Sequence, residues 1–362
     1  MRPFHVILDL TSRCNLKCVM CYFAATDRLN FPPFDTGPAD GNMPLPVFEK
    51  IAEQLFPRAR RVALGCAAEP MIHPRFREIL AVAGRYGVPD LWFPTNLLAL
   101  TEATAEAMRA AGVRTVAASI DGMTRETYEK IRVPAKWDQL VSRLELFRDR
   151  RAAWGGAGPR LRIIFTWMKS NRAELALLPG FAQTWGASEI DVRYVSPTVG
   201  VDVSAEILNN EDPKKLNAEL ASAARDAVAR GLRLSSYPDF ETAEEMPKSF
   251  SARVSRRLWR IRAGLDRVDL LRYALRKRIH GCAYPDHDFV IRPNGAVSPC
   301  IYWEKEPLGS FPADGLSAIR AGAPLSRIRD GLRSGQPIGT CATCGERRAA
   351  LYRLREAGRP AR

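Results

Sequence analysis

A short apolar run followed by an amphipathic run repeats along this chain of 362 residues and constrains its fold more than any other feature. Strand-like runs fall at about 4–10, 61–65, 90–94, 114–120, 161–167 and 189–195. Between them, apolar residues recur at helical spacing, as at Val47, Ile51 and Leu55, and again over 75–86, 101–111, 137–149 and 172–184. Six alternations predict parallel strands joined by right-handed crossovers, and therefore a (β/α) barrel or a doubly wound sheet.

Polar residues follow these strand-like runs at the point where each run ends. They are Cys14, the segment 66–69, Thr95 with Asn96, Ser119 with Asp121, Lys169 and Ser196. In a barrel the carboxyl ends of the strands converge on one mouth, so we expect a ligand site there. Taken singly, each of these residues is equally typical of a turn or of a helix N-cap.

Seven of the eight cysteines fall into two sets. Cys14, Cys18 and Cys21 form the spacing CxxxCxxC on one short loop. Three thiolates can hold three irons of a cubane iron–sulfur cluster, which leaves the fourth iron open to an exogenous ligand. A zinc site with three cysteines and a histidine is the alternative, but the chain has only four histidines.

The second set is a complete quartet, formed by Cys282, Cys300, Cys341 and Cys344. From spacing alone, zinc and an iron–sulfur cluster fit such a quartet equally well. The remaining cysteine, Cys66, is either a small buried hydrophobic residue or part of the active-site lining.

Composition excludes a disordered or fibrous chain, since 46% of the residues are hydrophobic and 26% are charged. We find neither a run of apolar residues long enough to span a membrane nor a signal peptide, and we therefore expect a cytoplasmic protein whose cysteines are reduced. Residues 22–46 are rich in Pro, Gly and Asp, which is typical of a long loop, and we expect a lid over the site.

The net charge of +14 lies in the C-terminal half, with +8 in residues 251–280 and +7 in residues 319–362. The first of these segments predicts a basic amphipathic helix. Such a helix suits a membrane surface, an acidic or phosphorylated substrate, or a solvated surface of the protein, whereas no motif supports binding of nucleic acid.

The cysteine loop resembles the signature of the radical S-adenosylmethionine enzymes. Glu69-Pro70 with His73-Pro74, Ser-Ile-Asp-Gly at 119–122, Tyr-Glu-Lys-Ile-Arg at 128–132 and Phe-Thr-Trp-Met-Lys-Ser-Asn at 165–171 are similar to further segments of that family. Residues 288–300, Leu308-Gly309 and 340–344 resemble the auxiliary cluster domain called SPASM or, when shortened, Twitch.

The resemblance implies an α/β fold, a partial (β/α)6 TIM-like barrel followed by an auxiliary cluster domain. It divides the chain into a barrel at 1–200, a connecting insert with the basic helix at 201–280, a SPASM/Twitch-like domain at 281–346 and an Arg-rich tail at 347–362. The implied cofactors are a [4Fe-4S] cluster that binds S-adenosylmethionine, one auxiliary [4Fe-4S] cluster and S-adenosylmethionine itself.

By the same resemblance, Cys14, Cys18 and Cys21 hold the first cluster, and Cys282, Cys300, Cys341 and Cys344 hold the second. Glu69 would meet the methionine amino group. Ser119 and Asp121 are candidates for contacts with the cofactor ribose, and Asn96 is a further, weaker candidate. Tyr22 would supply an aromatic ring, because Met20 stands where many members have one. Cys66-Ala67-Ala68 replaces the usual glycines before Glu69, which narrows the conformations open to that loop.

The implied activity is reductive cleavage of S-adenosylmethionine to a 5′-deoxyadenosyl radical, which takes hydrogen from an unactivated C–H bond of the substrate. We expect an oxidoreductase-like enzyme that oxidises, epimerises or otherwise modifies a sugar-like, aminocyclitol-like or other natural-product substrate. The absence of a peptide-recognition domain before the first strand favours this substrate class. The alternative is a peptide-modifying enzyme, and a third interpretation is an electron carrier or accessory iron–sulfur protein.

Two further expectations concern the reaction. The electron donor would be a flavodoxin or ferredoxin. Asp286, His287 and Asp288 lie beside Cys282, and a histidine flanked by carboxylates could act as the base of a dehydrogenation. A solvated turn is the other interpretation of these three residues.

Overall fold

We analysed a computed structural model, which describes residues 4–21, 40–195, 201–208, 211–237, 282, 284–301, 303 and 305–344. The described strands form one ten-stranded sheet. In chain order they are β1 (Phe4–Leu8), β2 (Ala59–Leu64), β3 (Asp90–Thr95), β4 (Thr115–Ser119), β5 (Arg160–Trp167), β6 (Glu189–Tyr194), β7 (Arg233–Tyr237), β8 (Asp288–Ile291), β9 (Ala296–Ser298) and β10 (Gly309–Ser310).

Helices follow most of the parallel strands. They are α1 (Leu45–Leu55), α2 (Phe76–Gly84), α3 (Glu102–Ala110), α4 (Arg125–Ile131), α5 (Trp137–Ala153), α6 (Leu178–Thr184), α7 (Pro213–Ala229), α8 (Tyr284–His287), α9 (Leu316–Ala321), α10 (Ala323–Arg333) and α11 (Thr340–Thr343). Short 3₁₀ turns occur at Phe56–Arg58, Pro70–Ile72 and Arg172–Ala176. Thr101 and Thr124 cap α3 and α4 by accepting backbone N–H bonds, which satisfies donors that a helix end leaves free.

The strand order settles the choice between a barrel and a doubly wound sheet. Strands β1 to β7 lie side by side in sequence order, and every pair among them is parallel. A doubly wound sheet would reverse its order at a switch point, and this one does not. The predicted partial (β/α)6 barrel is therefore confirmed, with β7 as an added parallel strand at one edge.

Alternation along the strands separates a helix-facing side from an inner face. Leu91 and Phe93 are buried in the hydrophobic core, where Phe93 meets Phe76 of α2 edge to face at 5.3 Å between ring centroids. The intervening Trp92 belongs to the opposite side. The inner face is hereafter the side of the sheet that carries Trp92, and the carboxyl edge is where the parallel strands end.

The C-terminal part joins the barrel through β1. Strand β8 pairs in parallel with β1 on the side away from β2, and β9 and β10 continue the sheet as antiparallel strands. Trp303, Phe311 and Ile328 carry the core into this region. None of the described helices combines the length and hydropathy that crossing a membrane requires.

Several predicted features lie outside the described residues. They are Tyr22 and most of the predicted lid, Ser196, the whole basic segment at 251–280 and the tail after residue 344.

Candidate active site

The cysteine loop follows β1 and is held by backbone hydrogen bonds from two directions. Ser12 N–H donates to Gly41 O at 2.8 Å, and on the other side Lys17 N–H donates to Val133 O at 2.6 Å. Val19 N–H donates to Ile131 O at 3.0 Å. The loop is therefore fixed on both sides of Cys18 by the last residue of α4 and the segment that follows it.

The three thiols of this loop lie near one another. Burial raises the pKa of Cys18 to about 11, and the charges of Cys14 and Cys21 add to the increase, while Arg132 opposes it. Leu16 N–H donates to Cys14 Sγ at 3.4 Å, and Arg132 Nη1 donates to Cys18 Sγ at 3.7 Å. N–H donors directed at sulfur suit thiolates that ligate metal.

The chemistry of this donor set fits the iron–sulfur cluster that the sequence predicts. The Tyr128 hydroxyl and the Arg132 Nε atom are buried close to Cys18 and have no hydrogen-bond partner among the described residues. Buried donors of this kind require an acceptor, and an anionic cluster would supply one. Among the described residues, no three His, Cys, Asp or Glu side chains are grouped closely enough to hold a metal ion. The residues around Cys18 therefore suit an iron–sulfur cluster by their chemistry, that is, by thiols and by buried hydrogen-bond donors directed at them.

Glu69 is the buried carboxylate of the cofactor loop, only 2% exposed. Its Oε1 accepts from Thr95 Oγ1 at 2.8 Å and from Met71 N–H at 3.1 Å, and its Oε2 accepts from Asn96 N–H at 2.6 Å. Burial raises the pKa of Glu69 to about 7, although these hydrogen bonds act in the opposite direction. The carboxylate is thus oriented by neutral donors and has no ion pair within the described part of the chain.

The structure links Glu69 to the cysteine loop in two ways. Glu69 N–H donates to Arg13 O at 3.1 Å. Asn96 Nδ2, at the end of β3, donates to Asn15 Oδ1 at 2.7 Å and lies 4.0 Å from Cys14 Sγ. The ends of β1, β2 and β3 therefore meet, as the sequence predicts for a barrel mouth.

Asp121 has partners other than the predicted cofactor ribose. The side chain is fully buried, Oδ1 accepts from Thr166 N–H at 2.7 Å, and Oδ2 lies 2.5 Å from Arg132 Nη2. Its carboxylate is therefore committed to a strand end and an arginine, and this geometry does not support the predicted ribose contact. Ser119 ends β4, is half-buried and lies on the inner face by strand alternation.

A second buried ion pair joins the cofactor loop to the C-terminal part. Asp9, directly after β1, accepts at Oδ1 from the N–H groups of Cys66 and Ala67, at 2.9 and 3.1 Å. Its Oδ2 lies 2.6 Å from Arg292 Nη1, at the turn between β8 and β9. Burial raises the pKa of the Cys66 thiol to about 12, which is typical of an unreactive thiol and not of a nucleophile.

The second cysteine set lies in the C-terminal part. Burial raises the pKa of Cys282 to about 12, and the charges of Cys341 and Cys344 add to this increase, so these thiols are neighbours. Cys300 and Cys341 are half-buried and pack against the hydrophobic core. A group of neighbouring, half-buried thiols has the chemistry of a site for an auxiliary cluster.

The predicted base is not supported at Asp288. Asp288 begins β8 and pairs with His5 at the start of β1, where Oδ1 lies 3.2 Å from His5 Nδ1. About 13 Å of strand separate His5 from Asp9 at the carboxyl edge. Asp288 therefore lies at the opposite end of the strands from the cysteine loop, and the side chains of Asp286 and His287 lie outside the described residues.

Sequence reasoning missed four residues of this site: Asp9, Thr95 as a partner of Glu69, Tyr128 and Arg132. Thr95 ends a predicted strand beside Asn96, and Tyr128 with Arg132 belongs to a motif already singled out by its resemblance. Those signals could have found three of the four. Asp9 is joined to residues 57 and 283 positions away, and no local pattern reports such contacts.

Comparison with protein families gives two matches. Residues 8–153 match the model described as the radical SAM superfamily, where SAM is S-adenosylmethionine, and residues 282–345 match SPASM, described as an iron–sulfur cluster-binding domain. The second match indicates an iron–sulfur cluster, and not zinc, in the C-terminal domain.

Proteins similar to this chain include the two curated relatives and the solved structure described below. The AdoMet-dependent heme synthase of Methanosarcina barkeri is 27% identical over 209 residues, which are 57% of this chain and 54% of that protein. Mycofactocin maturase MftC of Mycobacterium tuberculosis is 28% identical over 206 residues, 57% of this chain and 48% of that protein. The chain thus spans about half the length of these relatives.

The structure of Streptococcus suis SuiB bound to precursor peptide SuiA aligns with a TM-score of 0.65 and 16% identity. The alignment covers 92% of this chain and 67% of that one. At this identity the likeness concerns the fold alone, and it extends over both the barrel and the C-terminal part.

Proposed function

Because the chain belongs to the radical S-adenosylmethionine superfamily and carries a SPASM domain, we propose that it is an enzyme that modifies a peptide at an unactivated C–H bond. The observation that carries the enzymatic part is the joining of the three-cysteine loop to Glu69 through Arg13 O and through the Asn15–Asn96 contact. A carrier or accessory protein has no need of an oriented carboxylate beside its cluster.

The cluster and its cofactor, when bound, supply reductive cleavage of the carbon–sulfur bond of S-adenosylmethionine and a radical that abstracts hydrogen from the substrate. The chain's own residues bind and orient. Cys14, Cys18 and Cys21 would hold the iron, and Glu69 would accept hydrogen bonds from the methionine amino group. Thr95 and the Asn96 N–H keep the Glu69 carboxylate in one orientation before the cofactor arrives.

We propose the other cofactor contacts from the position of residues at the carboxyl edge of the sheet. Ser119 and the Asn96 side chain lie at the carboxyl edge, and Ser119 is our candidate for the ribose. Asp121 is reassigned to holding Arg132. Tyr22 stays a prediction outside the described residues.

The substrate class we propose is a peptide. The expectation of a sugar or aminocyclitol receives less support, because the relatives include a mycofactocin maturase and the fold is similar to that of a protein solved with its precursor peptide. The excess positive charge at 251–280 and 319–362 is complementary to an acidic peptide. A particular reaction, whether oxidation, epimerisation or bond formation, is not part of the proposal.

The division of labour along the chain is proposed as follows. Residues 1–200 form the barrel, 201–280 the connecting insert, whose β7 continues the sheet, 281–346 the auxiliary domain and 347–362 the tail. The quartet Cys282, Cys300, Cys341 and Cys344 would hold one auxiliary cluster that accepts or returns an electron, with a flavodoxin or ferredoxin as the reductant.

The test of the peptide proposal uses an anaerobically reconstituted protein that carries about eight irons per chain, as two four-iron clusters require. Extract from host cells grown in deuterated medium is divided, and one half is digested with a broad protease. With dithionite and S-adenosylmethionine present, we expect deuterium in 5′-deoxyadenosine from the undigested half and a large loss of label after digestion. Label that survives digestion in full would support the sugar class instead.

A Cys300→Ala variant tests the auxiliary cluster. If that cluster exchanges an electron with the substrate, the variant should bind about four irons and still cleave S-adenosylmethionine, but should form no modified product. Product formation at the wild-type rate would refute the electron-transfer role.

A further inference from the structure

The environment of Cys18 contains more buried polar groups than positioning of a loop requires. Arg132 is 8% exposed, and its guanidinium lies between Cys18 Sγ, 3.7 Å from Nη1, and Asp121 Oδ2, 2.5 Å from Nη2. The backbone on either side of Arg132 already fixes the loop, through Ile131 O and Val133 O. Holding the loop therefore does not require the side chain of Arg132.

Tyr128 lies one helical turn before Arg132, so both side chains share a face at the C-terminal end of α4. The Tyr128 ring is fully buried and meets Trp137 edge to face at 5.8 Å between centroids. Its hydroxyl is close enough to Cys18, Asp121 and Arg132 to be affected by all three charges. It has no hydrogen-bond partner in the described part of the chain.

A buried donor without an acceptor destabilises the folded state, so two of them at one site require an explanation. The unpartnered atoms are the Tyr128 hydroxyl and Arg132 Nε, and both lie beside a predicted cluster ligand. The sulfur atoms at Cys18 are the acceptors that the chemistry of the site supplies.

We propose that Tyr128 and Arg132 are positioning residues that raise the reduction potential of the cluster held at Cys18, acting through hydrogen bonds and charge at its sulfur atoms. The proposal rests on the proposed function, because it requires a cluster at Cys14, Cys18 and Cys21. It adds a residue-level determinant of how readily that cluster accepts its electron.

The expected sign follows from charge. Reduction adds one electron from a low-potential donor such as dithionite and moves no proton, so the reduced cluster is more negative by one unit. A nearby guanidinium stabilises the reduced state, and a nearby carboxylate destabilises it. Arg132 and Asp121 therefore have opposite effects, and Asp121 moderates the effect of Arg132 at a separation of 2.5 Å.

The experiment is a redox titration of reconstituted protein followed by electron paramagnetic resonance. The cluster with the open iron is identified as the one whose signal changes when S-adenosylmethionine is added. In Arg132→Met we expect about tenfold less reduced cluster at a given potential, equivalent to about 59 mV for a one-electron couple. Arg132→Lys, which keeps the charge, should recover most of this loss.

Arg125→Met is the matched control. Arg125 is also on α4, but its side chain is 55% exposed and pairs with Asp138 on the surface. The substitution removes the same charge at a solvated position, where screening is strong, so the potential should stay at the wild-type value.

Two further variants keep the proposal falsifiable if Arg132→Met does not fold. Asp121→Asn should shift the potential upward, opposite to Arg132→Met. Tyr128→Phe keeps the ring and removes the hydroxyl, and it should lower the reduced fraction about twofold to threefold, as loss of a weak donor predicts. Equal potentials in the wild type, Asp121→Asn and Tyr128→Phe would overturn the proposal.

Failure of the proposed function gives a different result. Wild-type protein that binds no iron at Cys14, Cys18 and Cys21, or whose signal ignores S-adenosylmethionine, contradicts the function itself. A cluster that responds to S-adenosylmethionine, with a potential insensitive to all these variants, contradicts only the roles of Tyr128 and Arg132.

Discussion

Two kinds of buried carboxylate stand at the carboxyl edge of the sheet. Asp9 and Asp121 each have an arginine, with oxygen–nitrogen distances of 2.6 Å to Arg292 and 2.5 Å to Arg132. Glu69 is equally buried, but it has only the neutral donors of Thr95, Asn96 and Met71. A carboxylate that already forms an ion pair with a guanidinium interacts only weakly with an ammonium or amine group of a ligand. Glu69 is oriented by its hydrogen bonds but forms no ion pair among the described residues.

This difference assigns separate tasks to the three groups. The Asp9–Arg292 pair connects the cofactor loop to the turn of the C-terminal hairpin, and the Asp121–Arg132 pair supports Cys18. Glu69 is the carboxylate that a cofactor can approach. Burial raises its pKa to about 7, because the neutral hydrogen bonds and the charge of Arg132 only partly offset the desolvation, and such perturbed groups are typical of functional sites.

The largest expected effect comes from removing the arginine that pairs with Asp9, so that Asp9, like Glu69, has no ion pair. Arg292→Met leaves the Asp9 carboxylate buried without its cation, and we expect a loss of about 3–5 kcal/mol in the free energy of unfolding. Urea denaturation followed by circular dichroism measures it. Arg333→Met is the control, because Arg333 pairs with Asp330 on the surface and its loss should cost less than about 1 kcal/mol. Equal losses in the two variants would contradict the assigned burial.

The next effect is a pH dependence that belongs to Glu69. Its folded-state pKa, about 7, lies above the ordinary value of 4.5, so between these pH values the folded state binds more protons than the unfolded state. Stability contributed by this group therefore falls as pH rises from about 4.5 to 7, by an amount on the order of 3 kcal/mol.

Glu69→Gln isolates this contribution, since Gln stays neutral at every pH. The free energy of unfolding of apo wild-type protein should decline relative to Glu69→Gln between pH 5 and pH 7.5. A difference between the two proteins that does not vary with pH would show that Glu69 has an ordinary pKa.

A smaller effect is expected when Glu69 loses one neutral donor. Thr95→Val keeps the shape of the side chain but removes the hydroxyl that donates to Oε1, and it should cost about 1–3 kcal/mol. It should also raise the pKa of Glu69 further, so the pH-dependent decline should extend to higher pH. Unchanged pH dependence in Thr95→Val would indicate that the Thr95 bond does not orient the carboxylate.

The smallest effect concerns the connection between Glu69 and the cysteine loop. Asn15→Ala removes the acceptor of Asn96 Nδ2 at an exposed position, and it should cost about 0.5–1.5 kcal/mol in the free energy of unfolding. Isothermal titration of reconstituted protein with S-adenosylmethionine should show weaker binding, by about tenfold or less. A loss of unfolding free energy as large as that of Arg292→Met would contradict the small contribution assigned to this contact.

Much of the fold follows from local patterns. Strand and helix positions, their parallel order and the convergence of Cys14, Glu69 and Asn96 depend on periodicity and on strand ends, which the sequence displays directly. The site was less predictable where a residue's role is to contact another residue that is distant in the sequence. In the sequence, Asp121 follows a strand, which is the position expected of a ligand-binding residue. Its contact with Arg132, directly after α4, exists only in the folded protein.

The register between β8 and β1 explains why the structure does not support Asp288 as part of the predicted base. The sequence shows a histidine between two aspartates close to a cysteine, but it does not show that Asp288 is the first residue of a strand parallel to β1. That direction puts Asp288 at the amino end with His5, while the cysteine loop is at the other end.

The central claim is that this chain holds a cluster with an open iron and uses it on S-adenosylmethionine. The direct measurement is chromatographic detection of 5′-deoxyadenosine after anaerobic incubation of reconstituted protein with dithionite and S-adenosylmethionine. We predict its formation by the wild type and its loss in Cys18→Ala, which keeps the C-terminal quartet. Fully iron-loaded wild-type protein that yields no more 5′-deoxyadenosine than Cys18→Ala would contradict the claim.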